Sequence, residues 1–372
     1  MTTATTMAPG SSAGGMRREP SSGGPIRLGF VPLNDCAPLI VARELGIFDR
    51  HGLKVRLSRE LGWATVRDKL AQGELDASHA PCGLPLALSA GLQCVPTETV
   101  AGVILNLEGN AITLGQGLWD AGVRDATTLR QFILQNRNRR VLTFGTVSAN
   151  SSHSHLLRTW LNSGGTPVDQ EVRLVVVPPP QMQANLAAGH LDGFCAGEPW
   201  NSLAVADGCG WIAATSRTIA PGHPEKALVV RAEFARRRNE EHVALIAALL
   251  EACDWCAMPA NHASLAALLA ERRHVGVPAS VIRHGLSGPL PRGCGLPPVS
   301  GSVATFAGPW VHEPGPDRTA WIATNLLDAS LRAQFSPERL ARIFQGDCHR
   351  QALALSEQPH PESPRESSLL PA

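Results

Sequence analysis

The sequence predicts an α/β protein built of two lobes with a ligand cleft between them. At 372 residues the chain exceeds the usual size of one domain. The segment KLAQGELDASHAP at 69–81 is echoed by NLAAGHLDGFCAGEP at 185–199. In both segments a predicted helix ends at a glycine, and a strand and a proline-containing loop follow. Two equivalent α/β halves explain this repeat, and in open α/β sheets such strand ends point at the ligand crevice.

Strand and helix signals alternate through the first half of the chain. They predict, in order, a strand at 26–31, a helix between Asp35 and Gly46, a strand at 54–58, a helix at 64–72 and a strand at 75–78. Asp35 is a residue type that caps helices, and Pro38 falls in the first turn of the helix. Gly73 ends the second helix.

A second set of signals begins near residue 141 and belongs to the other half. It predicts strands at 141–144 and 172–177, joined by a helix that Ser151 or Ser152 caps and that closes at Gly164 and Gly165. A later strand at 227–230 and helices at 243–258 and 263–272 complete the first half. The predicted organisation is a disordered tail at 1–24, lobe I at 25–108 and 217–350, lobe II at 109–216, and a loose tail at 351–372.

Composition excludes several functional classes. The 33 basic residues nearly balance 32 acidic ones and tyrosine is absent, so direct nucleic-acid binding is not expected. No apolar run reaches the roughly eighteen residues that cross a bilayer, so we expect no membrane span. Near the N-terminus, Arg17 and Arg18 are followed by Glu19 and Pro20 instead of an apolar segment, so we expect no export signal and a cytoplasmic protein.

The nine cysteines are scattered and are expected to remain thiols in a reducing compartment. Cys253 and Cys256 form one CxxC pair inside an apolar helical segment, without a second pair to complete a zinc site. Core packing is therefore preferred over metal or redox use, and no cofactor is expected. No nucleophile with an adjacent base is visible in the sequence, so an enzyme is not expected either.

Four residues offer what a small planar anion needs. His153 near a helix N-terminus combines an imidazole with backbone N–H donors, and Lys226 before a strand brings a full charge. Asn110 offers an amide donor, and Trp63 offers a flat aromatic face. Each also has an ordinary interpretation: a capping or solvated histidine, a surface lysine, a turn asparagine beside Gly109, or a core tryptophan.

Longer segments resemble the nitrate- and bicarbonate-binding proteins of the NrtA and CmpA family, which have a type II periplasmic-binding fold. The segments are LGFVPLNDCAPLIVARELGIF, GWATVRDKLAQGELDASHAP, LNLEGNAITL, VVPPPQMQANLAAGHLDGFCAGEPW and HPEKA, and they cover most of residues 26–232. The resemblance implies ligand contacts by Trp63, His153 and Lys226, and by Asn110 where the family has glutamine. It also implies cleft positions for Ala64, Thr65, Pro179, Gln181 and Glu198.

The resemblance further implies nitrate or nitrite as the ligand. Bicarbonate-binding relatives carry an acidic residue where this chain has Lys226, as part of a metal-assisted site, and an ammonium repels a nearby Ca²⁺. Without an export signal, the resemblance narrows to cytoplasmic sensors of the NasS type. Such sensors hold an RNA-binding antiterminator of the NasT type, an ANTAR-domain protein, and release it when nitrate or nitrite binds. The alternative is the solute-binding component of a nitrate/nitrite ABC transporter.

Overall fold

The computed structural model describes residues 23–356, which form two mixed β-sheets flanked by helices. The strands are β1 (Ile26–Phe30), β2 (Val55–Arg59), β3 (Ala77–Pro81), β4 (Thr99–Glu108), β5 (Asn110–Gly115), β6 (Leu142–Thr146), β7 (Val172–Val176), β8 (Gly193–Gly197), β9 (Gly210–Thr215), β10 (Pro224–Arg231) and β11 (Ala304–Thr305).

Helices cover both sheets. They are α1 (Ala37–Glu44), α2 (Ile47–Arg50), α3 (Trp63–Gln72), α4 (Leu84–Ser89), α5 (Gln116–Asp120), α6 (Ala126–Asn136), α7 (Ser152–Ser163), α8 (Val168–Glu171), α9 (Met182–Ala187), α10 (Trp200–Ala206), α11 (Ser216–Ile219), α12 (Ala232–Arg237), α13 (Asn239–Ala257), α14 (His262–Ala270), α15 (Ala279–Ser287), α16 (Pro316–Leu326), α17 (Ala329–Arg332), α18 (Pro337–Ile343) and α19 (Gly346–Ser356).

The first sheet has the strand order β11-β4-β10-β3-β1-β2, and the second has the order β7-β6-β8-β5-β9. In each sheet a parallel set (β2, β1 and β3, or β7, β6 and β8) is extended by antiparallel strands. The repeated segments occupy equivalent places, because β3 and β8 each join the parallel set to the antiparallel one. The preceding helices α3 and α9 are followed by Gly73 and Gly189, both with left-handed backbone (φ 77° and 74°) that favours glycine. The predicted α/β class is confirmed.

The chain passes between the sheets twice. The first passage lies at Glu108 and Gly109, whose φ angles are 61° and 101°. The second lies between the end of β9 and the start of β10. The Glu108 carboxylate joins the two passages, because it accepts hydrogen bonds from Arg217 Nε at 2.7 Å and from the backbone N–H of Gly222 at 2.8 Å. Such paired connections are where a hinge between two sheets would bend.

The larger apolar core covers the first sheet and extends into the second half at Met182, Phe194 and Trp200, and the second sheet has a further core of its own. In the first, α13 is apolar on nearly all sides and is buried against α1 and α19. In the second, Phe144, Leu157 and Trp211 are fully buried. Cys253 and Cys256 face the first core, which confirms the prediction of core packing.

No single helix within residues 23–356 is long and apolar enough to cross a membrane. One pair of helical segments, Asn239–Ala257 and Pro259–Ala270, meets the length and composition of a membrane span when taken together, but the two are bent by 83° relative to each other.

Two local expectations differ from the structure. Asp35 caps no helix: it lies in a 3-10 turn (Asn34–Cys36), and its carboxylate bonds to groups on other strands instead. Residues 351–356, which are expected in the loose tail, belong to α19, and this helix packs on α13 with Ala352 buried. Residues 1–22 and 357–372, which hold the rest of the two predicted tails, lie outside the described residues.

One segment of the predicted lobe I lies against the second sheet. Leu290 and Val303 pack with Ile212 and Ala111. The backbone N–H of Ile212 donates to the carbonyl of Arg292 at 2.8 Å. This segment therefore covers the β9 edge of the second sheet, although the residues around it belong with the first.

Candidate functional site

Lys226, on β10, is fully buried between the two sheets. Its ammonium lies 2.7 Å from Asp35 Oδ2 and 2.5 Å from Glu225 Oε1. Burial alone would lower the pKa of Lys226, but the two carboxylates hold it above its ordinary value. The side chain is therefore a permanent positive charge in a region that excludes water.

The two carboxylates beside Lys226 are also ionised. Burial would raise the pKa of Asp35, but Lys226 and His79 outweigh it and leave the pKa below its ordinary value. The pKa of Glu225 lies well below its ordinary value, because Lys226, His153 and His223 outweigh burial. Two carboxylates and one ammonium leave this group with a net charge of −1.

Polar side chains from both sheets surround Glu225. Asn110 Nδ2, at the start of β5, donates to Glu225 Oε2 at 2.6 Å, and Ser152 Oγ, at the start of α7, donates to the same oxygen. His223 Nε2 lies 3.1 Å from this oxygen. The charged and polar side chains in contact here form one group, which we refer to as the buried cluster. Its members are Asp35, His79, Asn110, Ser152, His153, His223, Glu225 and Lys226.

His153 lies in the first turn of α7, as the sequence predicts, and Ser151 caps that helix. Its Nε2 is 3.5 Å from Glu225 Oε1, and neither ring nitrogen hydrogen-bonds to another described residue. Burial lowers the pKa of His153 to about 4, although Glu225 opposes the shift. The imidazole is therefore neutral near pH 7 and offers one N–H donor and one acceptor. An anion site near a helix N-terminus could use either a protonated or a neutral histidine. The lowered pKa of His153 favours the neutral form.

Trp63 closes one side of the buried cluster. The Lys226 ammonium lies 5.5 Å from the centre of its ring, and the His79 ring packs edge-on at 5.2 Å. The indole N–H is buried without a hydrogen-bond acceptor among the described residues. Trp63 thus presents both an aromatic face and a free donor beside the ammonium.

The structure brings together all four residues expected to contact a ligand, namely Trp63, Asn110, His153 and Lys226. The five expected cleft residues are placed differently. Ala64 and Gln181 are exposed, Thr65 is half-buried, and Pro179 is buried beside the cleft rim, where the neighbouring Pro178 faces Gly62 of the other half. Glu198 is buried, but its carboxylate accepts from the backbone N–H of Ser202, and burial raises its pKa to about 7.

The sequence indicates three of the eight residues of the cluster and misses five. Asp35 and Ser152 are expected only as helix caps, and His79, His223 and Glu225 are given no role in the site. Glu225 and His223 stand in the HPEK segment beside Lys226, so proximity to that lysine is the one signal that could have indicated them. Asp35 carried no such signal, because its partners His79 and Lys226 lie on strands distant in the sequence.

The two halves touch directly around the cluster. The backbone N–H of Asn34 donates to the carbonyl of Glu198 at 2.8 Å, and Trp200 Nε1 donates to the carbonyl of Pro32 at 3.0 Å. Gly83 lies so close to Asn150 that a Cβ atom built on it would be 2.1 Å from the Asn150 carbonyl oxygen. The cleft is closed in this structure. Among the described residues, no three His, Cys, Asp or Glu side chains are grouped to hold a metal ion.

The chain matches known proteins over most of its length. The model of the NMT1-like family matches residues 20–270. The nitrate import ATP-binding protein NrtC of Synechocystis is 42% identical over 262 residues, which are 70% of this chain and 39% of that protein. The nitrate/nitrite binding protein NrtA of Synechococcus elongatus is 32% identical over 300 residues, 78% of this chain and 67% of that protein.

A solved structure extends the likeness to three dimensions. The periplasmic nitrate-binding protein NrtA from Synechocystis superimposes with a TM-score of 0.83 at 27% identity, over 92% of each chain. The chain spans only 39% to 50% of the length of the ATP-binding relatives it matches. From the family match and these relatives, the chain belongs to the NMT1-like family and is a homologue of the NrtA- and CmpA-type binding proteins.

Proposed function

We propose that this chain binds nitrate or nitrite between its two halves and serves as the binding component of an anion import system. The observation that carries the proposal is the fully buried ammonium of Lys226, with donors of both halves near it: the indole N–H of Trp63 from the first half, and Asn110 and Ser152 from the second. A buried cation with neutral donors suits a small monoanion, because charge-assisted hydrogen bonds are the strong ones. Relatives named for nitrate and nitrite binding support the choice of ligand.

Bicarbonate is the main competing ligand, since other relatives are named for it. Bicarbonate binding with a divalent metal would place a second cation beside Lys226, where the two charges repel. Nitrate and nitrite need no metal to be neutralised. We therefore expect the chain to prefer them over bicarbonate, with or without Ca²⁺.

Isothermal titration calorimetry tests the proposal with nitrate, nitrite, bicarbonate with and without Ca²⁺, and chloride as a control for ionic strength. We expect nitrate or nitrite to bind with a micromolar Kd, about −8 kcal/mol, and chloride to give no saturable heat. The proposal fails if neither nitrate nor nitrite binds, or if bicarbonate with Ca²⁺ binds more tightly than both.

An importer role is favoured over a sensor role because the relatives matched are named as import and binding proteins. The three lysines of the sequence do not stand in the GxxxxGK[ST] pattern of a nucleotide-binding loop, so we propose no ATP-binding role for its residues. The cytoplasmic location and the ANTAR-domain antiterminator partner stay predictions. Size-exclusion chromatography with a purified antiterminator, with and without nitrate, tests the partner, and cell fractionation tests the location.

Closure of the two halves should govern affinity, which Gly83→Ala tests from outside the cluster. The new Cβ would meet the Asn150 carbonyl oxygen of the other half, although the backbone of Gly83 (φ −77°) itself accepts alanine. We expect nitrate to bind about 10-fold more weakly, because the closed state then costs on the order of 1.4 kcal/mol more. Gly117→Ala, in α5 with nothing within 4 Å of its added Cβ, is the control. Unchanged affinity in folded Gly83→Ala would show that binding does not require this contact.

A further inference from the structure

Glu225 enters the buried cluster through an irregularity in β10. Consecutive residues of a regular strand point to opposite faces of the sheet. The pairing of β10 with β4 runs from Pro224 opposite Leu107 to Lys226 opposite Asn106, so Glu225 is an extra residue in the ladder. Such bulges change the direction of a side chain. As a result, the side chains of both Glu225 and Lys226 reach the same cluster, where their charged atoms lie 2.5 Å apart.

The Glu225 carboxylate takes up the donors that the two halves contribute. Oε2 accepts from Asn110 and from Ser152 and lies 3.1 Å from His223 Nε2, and Oε1 accepts from Lys226. Asn110 and Ser152 belong to the second sheet and its helices. His223 directly precedes β10 of the first sheet, and Lys226 lies on that strand. The carboxylate thus bridges the halves, as a ligand bound in a closed cleft would.

A carboxylate and a nitrate ion are chemically alike. Both are planar, carry one negative charge delocalised over oxygens, and accept hydrogen bonds in their plane. The donors that hold Glu225 are therefore those that a nitrate or nitrite ion would need. A second anion placed beside an unmoved Glu225 would raise the net charge of the group formed by Asp35, Glu225 and Lys226 from −1 to −2. Uncompensated buried charge of this kind is strongly unfavourable.

We propose that Glu225 is a tethered competitor, whose carboxylate occupies the anion site of the closed chain and must be displaced by the free anion. This inference rests on the proposed function, since it concerns the same donors. Lys226 would keep a negatively charged partner after Glu225 is displaced, because the Asp35 carboxylate also contacts its ammonium, at 2.7 Å. Glu225 would then set the affinity: an internal anion at high effective concentration weakens binding of every external anion that uses these donors.

Two substitutions of Glu225 test the inference. Glu225→Gln removes the charge but keeps the shape, and we expect calorimetry to show nitrate binding at least 10-fold tighter than in the wild type. Glu225→Ala removes the carboxylate and leaves its donors in place. Formate, a planar carboxylate, should then raise the Tm of Glu225→Ala in a saturable way, while the Tm of the wild type should not respond. Chloride at equal ionic strength is the control anion in both experiments.

The control variant is Glu60→Gln, which removes a buried carboxylate paired with Lys69 at 3.0 Å, outside the cluster. Its nitrate affinity should match the wild type, and it should not respond to formate. Circular dichroism checks that each variant is folded. A folded Glu225→Ala that ignores formate, or a folded Glu225→Gln with unchanged or weaker nitrate affinity, overturns the inference even if the wild type binds nitrate. Conversely, formate binding by Glu225→Ala with no nitrate or nitrite binding by any variant supports the tethered carboxylate and contradicts only the proposed function.

Discussion

Lys226→Met is expected to remove anion binding. Methionine keeps an unbranched apolar stem of similar size but lacks the charge that is fully buried in the cluster. Truncating one partner of a buried charged contact costs about 2–5 kcal/mol of binding free energy, and Kd therefore rises about 30-fold or more. Titration calorimetry with nitrate and nitrite measures this loss. Lys69→Met is the matched control, because Lys69 is partly exposed and pairs with Glu60 away from the cluster.

The same substitution should also lower stability, so binding and folding must be separated. Lys226→Met leaves Asp35 and Glu225 as buried carboxylates without their cation. Losing one member of a buried ion pair costs about 3–5 kcal/mol of the free energy of unfolding. The double variant Lys226→Met with Asp35→Asn removes one of these carboxylates, so it should regain part of the stability in urea titrations. Anion binding should stay lost; its return in the double variant would contradict the role of Lys226.

Features set by local chemistry could be predicted from the sequence. Gly73 and Gly189 end their helices with left-handed backbone, and the strands that follow them occupy equivalent places in the two sheets. Ser151 caps α7, which fixes His153 in the first turn. Each of these features depends on residues a few positions apart, so a short segment contains the whole signal.

Features set by distant partners could not be predicted in this way. Asp35 is a good capping residue, yet two buried partners, Lys226 and His79, attract its carboxylate more strongly than a solvated helix end would. Glu225 depends on a strand irregularity that period-two reasoning does not reveal, because a regular strand would point it away from Lys226. The four ligand residues were assembled from family likeness, and the competing carboxylate among them was visible only in the fold.

The charge arrangement explains why one lysine suffices in this cluster. The other hydrogen-bond donors of the cluster are neutral near pH 7, because burial lowers the pKa of His153 to about 4 and because Asn110 and Ser152 carry no charge. Under the proposed displacement of Glu225, Lys226 and Asp35 balance each other, and a bound monoanion restores the net charge of −1 that these two residues carry together with Glu225. A dianion would raise this buried charge to −2, which is strongly unfavourable, so monoanions are the class of ligand that we expect.

Acidification is expected to weaken the fold through two buried histidines. Burial lowers the pKa of both His153 and His242 to about 4, below the value of about 6.5 in an unfolded chain. Between these values the unfolded chain binds more protons, so stability is lost as the pH falls. Each histidine removes about 2 kcal/mol between about pH 7.5 and about pH 5. Depressed pKa values at Asp35 and Glu225 add a loss of the same sign at lower pH.

Glu198 acts in the opposite direction, so the histidine effect must be isolated by substitution. Burial raises the pKa of Glu198 to about 7, and acidification over the same range therefore returns about 2 kcal/mol. His242 lies on α13, apart from the cluster, so His242→Leu removes one titrating group without touching the anion site. Urea unfolding at the two pH values should show that His242→Leu loses about 2 kcal/mol less than the wild type. His190→Leu, at an exposed position, controls for the change of side chain. Equal losses in His242→Leu and the wild type would mean that this histidine gains a proton without unfolding, which its burial in the core argues against.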